Sequence, residues 1–103
     1  MSAKIELNEM LEELGCKKMK CATITYSGYR IEDQNFNLKV NHTEEELNVF
    51  LTSLDFDYDS GYGTQELFGT VWFEDGTWLS RAEYDGLEWW VHNQLPEIPS
   101  ELL

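Results

Sequence analysis

At 103 residues and 12.1 kDa, the chain has room for one domain with one modest core. Hydrophobic residues at 42% and aromatic residues at 14% exclude a disordered chain. With 20 Asp plus Glu against 7 Lys plus Arg, the net charge of −13 repels nucleic acid and anionic membrane and attracts basic surfaces, the alternative being a small domain acidic only for solubility.

The charge is unevenly placed. Residues 1–39 carry six acids and six bases, whereas residues 40–103 carry fourteen acids and a single base, Arg81. No apolar run reaches transmembrane length, and the N-terminus, MSAKIELNEMLEELG, lacks a basic-then-hydrophobic signal pattern. Cys16 and Cys21 flank a basic KKMK turn and are expected as reduced thiols, which places the chain in a cytoplasm.

In chain order, IELNEMLEELG puts Ile5, Leu7, Met10, Leu11 and Leu14 at roughly helical spacing, and Gly15 supplies a stop. KMKCATITY alternates with β-branched residues and predicts a strand, and FNLKV at 36–40 predicts a second after the turn-prone EDQN. Thr43 and Glu46 have the spacing of a capping box, and Leu47, Phe50, Leu51 and Leu54 fall on one face of a helix near 44–54. Three strands follow, ELFGTVWFE, TWLSRAEY and LEWWVHN, separated by Asp75-Gly76 and Asp85-Gly86. Asp-Gly between alternating apolar runs predicts hairpins with two-residue type I′ turns. The tail QLPEIPSELL, with Pro96 and Pro99, is expected to run extended over the surface with Ile98 and Leu102 tucked in. This order predicts a single α+β domain. Its antiparallel sheet has about five strands, ending in a three-stranded meander, with two helices on one face.

Two-residue turns set a register. Phe73 then faces Trp78, and Arg81 faces Trp90. One face collects Leu67, Val71, Phe73, Trp78, Ala82, Tyr84, Leu87, Trp89 and Val91 as core. The other collects Phe68, Thr70, Trp72, Leu79, Arg81, Glu83, Glu88, Trp90 and His92, with Arg81 placed to lie on the Trp90 ring. Rings among charges have the composition of a contact surface, so Phe68, Trp72, Arg81, Glu83, Glu88 and Trp90 are the candidate partner-binding residues. The alternative is that residues 17–40 or the tail cover this face.

The stretch DFDYDSGYG (55–63) adds Asp55, Asp57 and Asp59 to that candidate surface. In an extended loop these carboxylates stand roughly 7 Å apart, comparable to phosphates along a strand. With Glu66 they also occupy positions 1, 3, 5 and 12 of a calcium-binding loop. Position 6 is Ser60 rather than glycine, however, and a strand rather than a helix follows. A solvated loop with Phe56 and Tyr58 turned inward is the third possibility.

Catalytic signals are sparse. Cys16, Cys21, His42 and His92 lack zinc-ligand spacing, and no phosphate loop or nucleophile elbow is present. Glu83 and Glu88, directly opposed, are too close for an inverting glycosidase pair. The expectation is a non-enzymatic protein without a cofactor.

The run FEDGTWLSRAEYDGLEWWVHNQLPEIP resembles segments of small, acidic, uncharacterised phage-encoded proteins, over residues 55–100. The resemblance carries no functional residue. It implies the class of small phage proteins that bind and block host machinery, often by occupying the basic groove of a nucleic-acid-binding enzyme.

Overall fold

The structure, a computed structural model, describes residues 2–28, 32–59 and 63–103. Helix α1 (Ala3–Glu13) starts at Ser2, whose hydroxyl accepts the Ile5 N–H at 3.4 Å. It buries Ala3 and Leu7, and the chain leaves it through left-handed Gly15 (φ 78°) and Cys16 (φ 58°). Helix α2 (Glu44–Ser53) carries the expected capping box. The Glu46 N–H donates to Thr43 Oγ1 and the Thr43 N–H donates to Glu46 Oε1, both at 3.1 Å. The backbone N–H of Thr43 also lowers the Glu46 pKa, because it favours the charged carboxylate.

Five strands, β1 (Met19–Tyr26), β2 (Gln34–Leu38), β3 (Leu67–Phe73), β4 (Trp78–Tyr84) and β5 (Leu87–Asn93), form one sheet. Its order is β2-β1-β3-β4-β5, every neighbouring pair is antiparallel, and the last three strands make the meander. Leu38, Ala22, Ile24, Leu67, Val71, Phe73, Leu79 and Trp90 from one side of the sheet join Leu7, Phe50 and Leu54 in a single buried cluster. Both helices therefore cover that side, and the fold is α+β.

Gly69 is required where β3 meets β1. Its φ of +151° is one that side chains rarely adopt, and an added Cβ would collide with the Thr23 carbonyl oxygen. It would also come within 2.9 Å of Ile24 Cα. Because both obstacles are backbone, Gly69→Ala should destabilise by about 3 kcal/mol or more through overpacking and strain. A denaturant melt checks this: an unchanged midpoint would mean the two strands can separate locally at no cost.

The first hairpin departs from the expected register. The Phe73 N–H donates to Thr77 O at 2.9 Å, so Glu74, Asp75 and Gly76 form a three-residue loop closed by left-handed Gly76 (φ 87°). Asp75 Oδ1 accepts the Thr77 N–H (3.0 Å) and hydroxyl (2.6 Å), and Lys17 pairs with the same carboxylate. Those contacts, Lys17 first, hold the Asp75 pKa far below the usual carboxylate range. Trp72 consequently faces Trp78 and Val71 faces Leu79. One residue of slip turns all of β4 over. The second hairpin is as expected, with Asp85 (φ 51°) and Gly86 (φ 88°) both left-handed and Tyr84 facing Leu87. Since β5 follows β4 in register, it turns over with it.

The expected core face is thus corrected for these two strands. Leu79, Arg81, Glu88 and Trp90 point to the helices, while Trp78, Ala82, Tyr84, Leu87, Trp89 and Val91 lie on the open side. The tail is corrected as well: Leu95, Ile98, Leu102 and Leu103 are all exposed, and a short 3-10 turn spans Ser100–Leu102. No helix among the described residues is long and apolar enough to cross a membrane.

Candidate functional site

The register slip brings a charged group into the core, and the fold answers it with partners. Arg81 Nη1 donates to Glu6 Oε1 of α1 at 3.0 Å. Its Nη2 donates to Glu88 Oε1 of β5 at 2.6 Å and to the Tyr58 hydroxyl at 2.8 Å. Its Nε donates to the Leu67 carbonyl at 3.3 Å. Tyr58 in turn donates to Glu6. The guanidinium carbon stands 4.8 Å from the Trp90 ring centroid and 5.7 Å from that of Tyr58, so the expected Arg81–Trp90 stacking forms, but inside the core. Glu88 completes the set by accepting the N–H groups of Glu66 (2.8 Å) and Leu67 (3.1 Å).

Burial works against the Arg81 charge, but the Glu88 hydrogen bond and the Glu6 charge outweigh it and raise its pKa above the ordinary value. Burial, reinforced by Glu6, pushes the Tyr58 hydroxyl well above its ordinary 10.0. The side chains of Arg81 and Glu88 are 2% and 0% exposed, and the guanidinium is engaged on both arms and at Nε. This arrangement binds α1 to β4 and ties Tyr58 and the backbone at Glu66 and Leu67 to it.

The raised Tyr58 pKa has a consequence at high pH. The neutral phenol is favoured in the fold, so its contribution to stability is complete below about pH 10 and is lost as pH rises through the higher folded value. Melting temperatures should fall above about pH 10, and fall less steeply in Tyr58→Phe. Equal slopes in the two proteins would remove Tyr58 as the cause.

Of the expected partner-binding residues, Arg81, Glu88 and Trp90 are therefore buried, and they are corrected to structural roles. Glu83 faces Glu88 as expected, but the predicted repulsion is relieved: Glu88 turns to Arg81, and Glu83 accepts the Gly86 N–H at 2.9 Å. Phe68 and Trp72 are exposed on the open side of the sheet. The open side also displays Trp89, Tyr84 and Leu87, which the assumed register had placed in the core. Glu6 had no signal in the sequence, because its partner lies 75 positions away.

The 55–59 segment follows its alternation. Asp55, Asp57 and Asp59 are exposed, Tyr58 is buried, and Phe56 packs between Tyr26 (ring centroids 4.9 Å) and Phe36 (5.5 Å). Backbone bonds from Ala3 N–H to Phe56 O and from Lys4 N–H to Leu54 O, both 2.9 Å, tie the segment to the start of α1. Glu66 Oε1 accepts the Asp59 N–H at 3.2 Å. Among the described residues no three acidic, histidine or cysteine side chains converge as a metal-binding set. Positions 60 and 61, where a calcium loop would turn, lie outside the described residues.

Charge therefore sorts by face. The helix-and-loop side exposes Glu9, Glu12, Glu13, Glu44, Glu45 and the three aspartates. On the open side of the sheet, the paired strand positions carry aromatic, aliphatic, Thr, Ser, Asn and Cys side chains and no carboxylate, and the cation of exposed Lys20 stands beside Cys21 and Trp72 at the irregularity in β1. Compared with known proteins, the chain matches no family model, no curated protein and no solved structure.

Proposed function

We propose that this is a non-enzymatic acidic binding protein that docks its carboxylate-rich helix-and-loop side on a basic, nucleic-acid-binding surface of a host protein. It would inhibit that protein by charge mimicry, in the manner of small phage-encoded inhibitors. The observation that carries the reading is the Asp55, Asp57 and Asp59 row, turned outward at alternate positions while Phe56 and Tyr58 anchor the same segment inward. A row held by its own backbone presents its charges without first being ordered, which lowers the cost of binding. The net charge of −13 adds steering toward a basic surface.

The test is displacement of labelled duplex DNA from a purified, basic histone-like protein. Joint substitution Asp55→Asn, Asp57→Asn and Asp59→Asn should weaken displacement by roughly tenfold or more. Joint Glu9→Gln, Glu12→Gln and Glu13→Gln removes the same charge from α1 and should cost about threefold at most. Equal losses in the two variants would reduce the effect to net charge and end the assignment to the aspartate row.

A further inference from the structure

A −13 chain that exposes tryptophans on a sheet face with no carboxylate at its paired positions has built two surfaces with opposite demands. Across β3, β4 and β5 the open side is continuous in register. Trp72 faces Trp78, Ala82 faces Trp89, and Tyr84 faces Leu87, with Phe68 at the end of the β3 row. Phe68, Trp72, Tyr84, Leu87 and Trp89 are exposed, and the charges that would ordinarily solvate such strands, Arg81 and Glu88, are turned into the core instead. Exposed aromatic area of this extent marks an interface.

We propose that this open face is a homodimer interface, covered by the same face of a second copy. Charge selects the occupant. A basic partner would require carboxylates to meet it, and no paired strand position on this face carries one. Two copies approaching by their helix-and-loop sides would oppose acid to acid, whereas the open-side paired positions of β3, β4 and β5 meet with no like charges between them, and Lys20 lies off toward β1. Stacking of sheets face to face at about 10 Å gives the rings a partner of matching composition. A two-fold axis near β4 brings the same residues together from both subunits.

The area is adequate when the tail is included. Five strands at about 4.8 Å, on average about 23 Å long, give a footprint near 550 Å², against the roughly 800 Å² per partner of a stable interface. The tail after Asn93 leaves directly from the edge of this face. Its Leu95, Ile98, Leu102 and Leu103 are exposed, and among the described residues no backbone hydrogen bond joins it to the sheet. Laid over the second copy, it supplies the remainder.

Sedimentation equilibrium of the full chain, from about 1 to 100 µM and at low and high salt, tests the proposal. The expected mass is twice 12.1 kDa, and salt should strengthen the association by screening the two acidic bodies from each other. Docking on a basic protein weakens with salt, so the two surfaces fail or succeed independently. Trp72→Glu and Trp89→Glu should each weaken dimerisation at least tenfold while keeping the wild-type circular dichroism. If either fails to fold, Leu87→Lys, at the exposed end of β5, gives the same readout. A wild-type monomer at the highest concentration and salt overturns the proposal, as do folded variants that still dimerise.

Discussion

Arg81→Met should lower the melting temperature by roughly 15–30 °C and leave a protein barely folded at physiological temperature. Arg81 is the cation shared by Glu6 and Glu88, and its removal strands two carboxylates, one of them wholly buried, beside an apolar thioether. Removing one partner of a buried ion pair costs about 3–5 kcal/mol, because the remaining charge stays desolvated. For a domain of this size each kcal/mol corresponds to about 4–8 °C. A second substitution separates charge from shape: adding Glu88→Gln should recover part of the loss, since the amide oxygen can still accept from the backbone without carrying a charge. A scanning melt of wild type, Arg81→Met and the double variant decides it. If Arg81→Met melts within a few degrees of wild type, the network contributes no stability, and its role would have to be sought in specificity of packing.

The adjacent tryptophans give the second large effect, with opposite expectations for neighbours in sequence. Trp90 is 5% exposed and lies under the Arg81 guanidinium, whereas Trp89 is 42% exposed on the open side. Trp90→Ala should cost about 3–5 kcal/mol through the cavity it leaves and the lost cation–π contact. Trp89→Ala should change stability by about 0.5 kcal/mol or less in dilute protein, where the melt reads the single chain. Urea melts of the two variants side by side check the register of β4 and β5 directly. Destabilisation by Trp89→Ala with a tolerated Trp90→Ala would mean that the two strands sit the other way up. The sheet's open face would then be the charged one, and the dimer proposal would lose its basis.

That contrast shows where local pattern misleads. In TWLSRAEY the set Trp78, Ala82, Tyr84 is more apolar than the set Leu79, Arg81, Glu83, so alternation alone selects the wrong side for the core. Asp75-Gly76 is compatible with a two-residue loop or with the last two residues of a three-residue one. The choice is made by contacts from elsewhere: Lys17 on Asp75, and the Lys18 carbonyl accepting the Glu74 N–H at 3.0 Å as β1 runs alongside β3. No window around the hairpin contains those residues. The Arg81, Glu6 and Tyr58 contacts come from three separate parts of the chain and were invisible for the same reason.

Other features were legible because their causes are local. The α2 capping box needs only Thr43 and Glu46 three positions apart, and the type I′ turn needs only an Asp and a Gly that accept positive φ. The inward and outward alternation of 55–59 follows from rings and carboxylates sorting themselves between core and water. The exposed tail was not legible. Pro96 and Pro99 predict extension but not direction, and Ile98 stays exposed outside the buried cluster.

By itself, then, the sequence determined the number and order of the α-helices and β-strands, the α+β class and the acidic surplus, since propensity, capping and composition act within a few residues. The tertiary structure alone decided the strand order, the one-residue slip that overturned β4 and β5, and the sorting of charge to one face and bare aromatics to the other. Those are set by pairings between distant segments, where a single unit of register exchanges core for solvent.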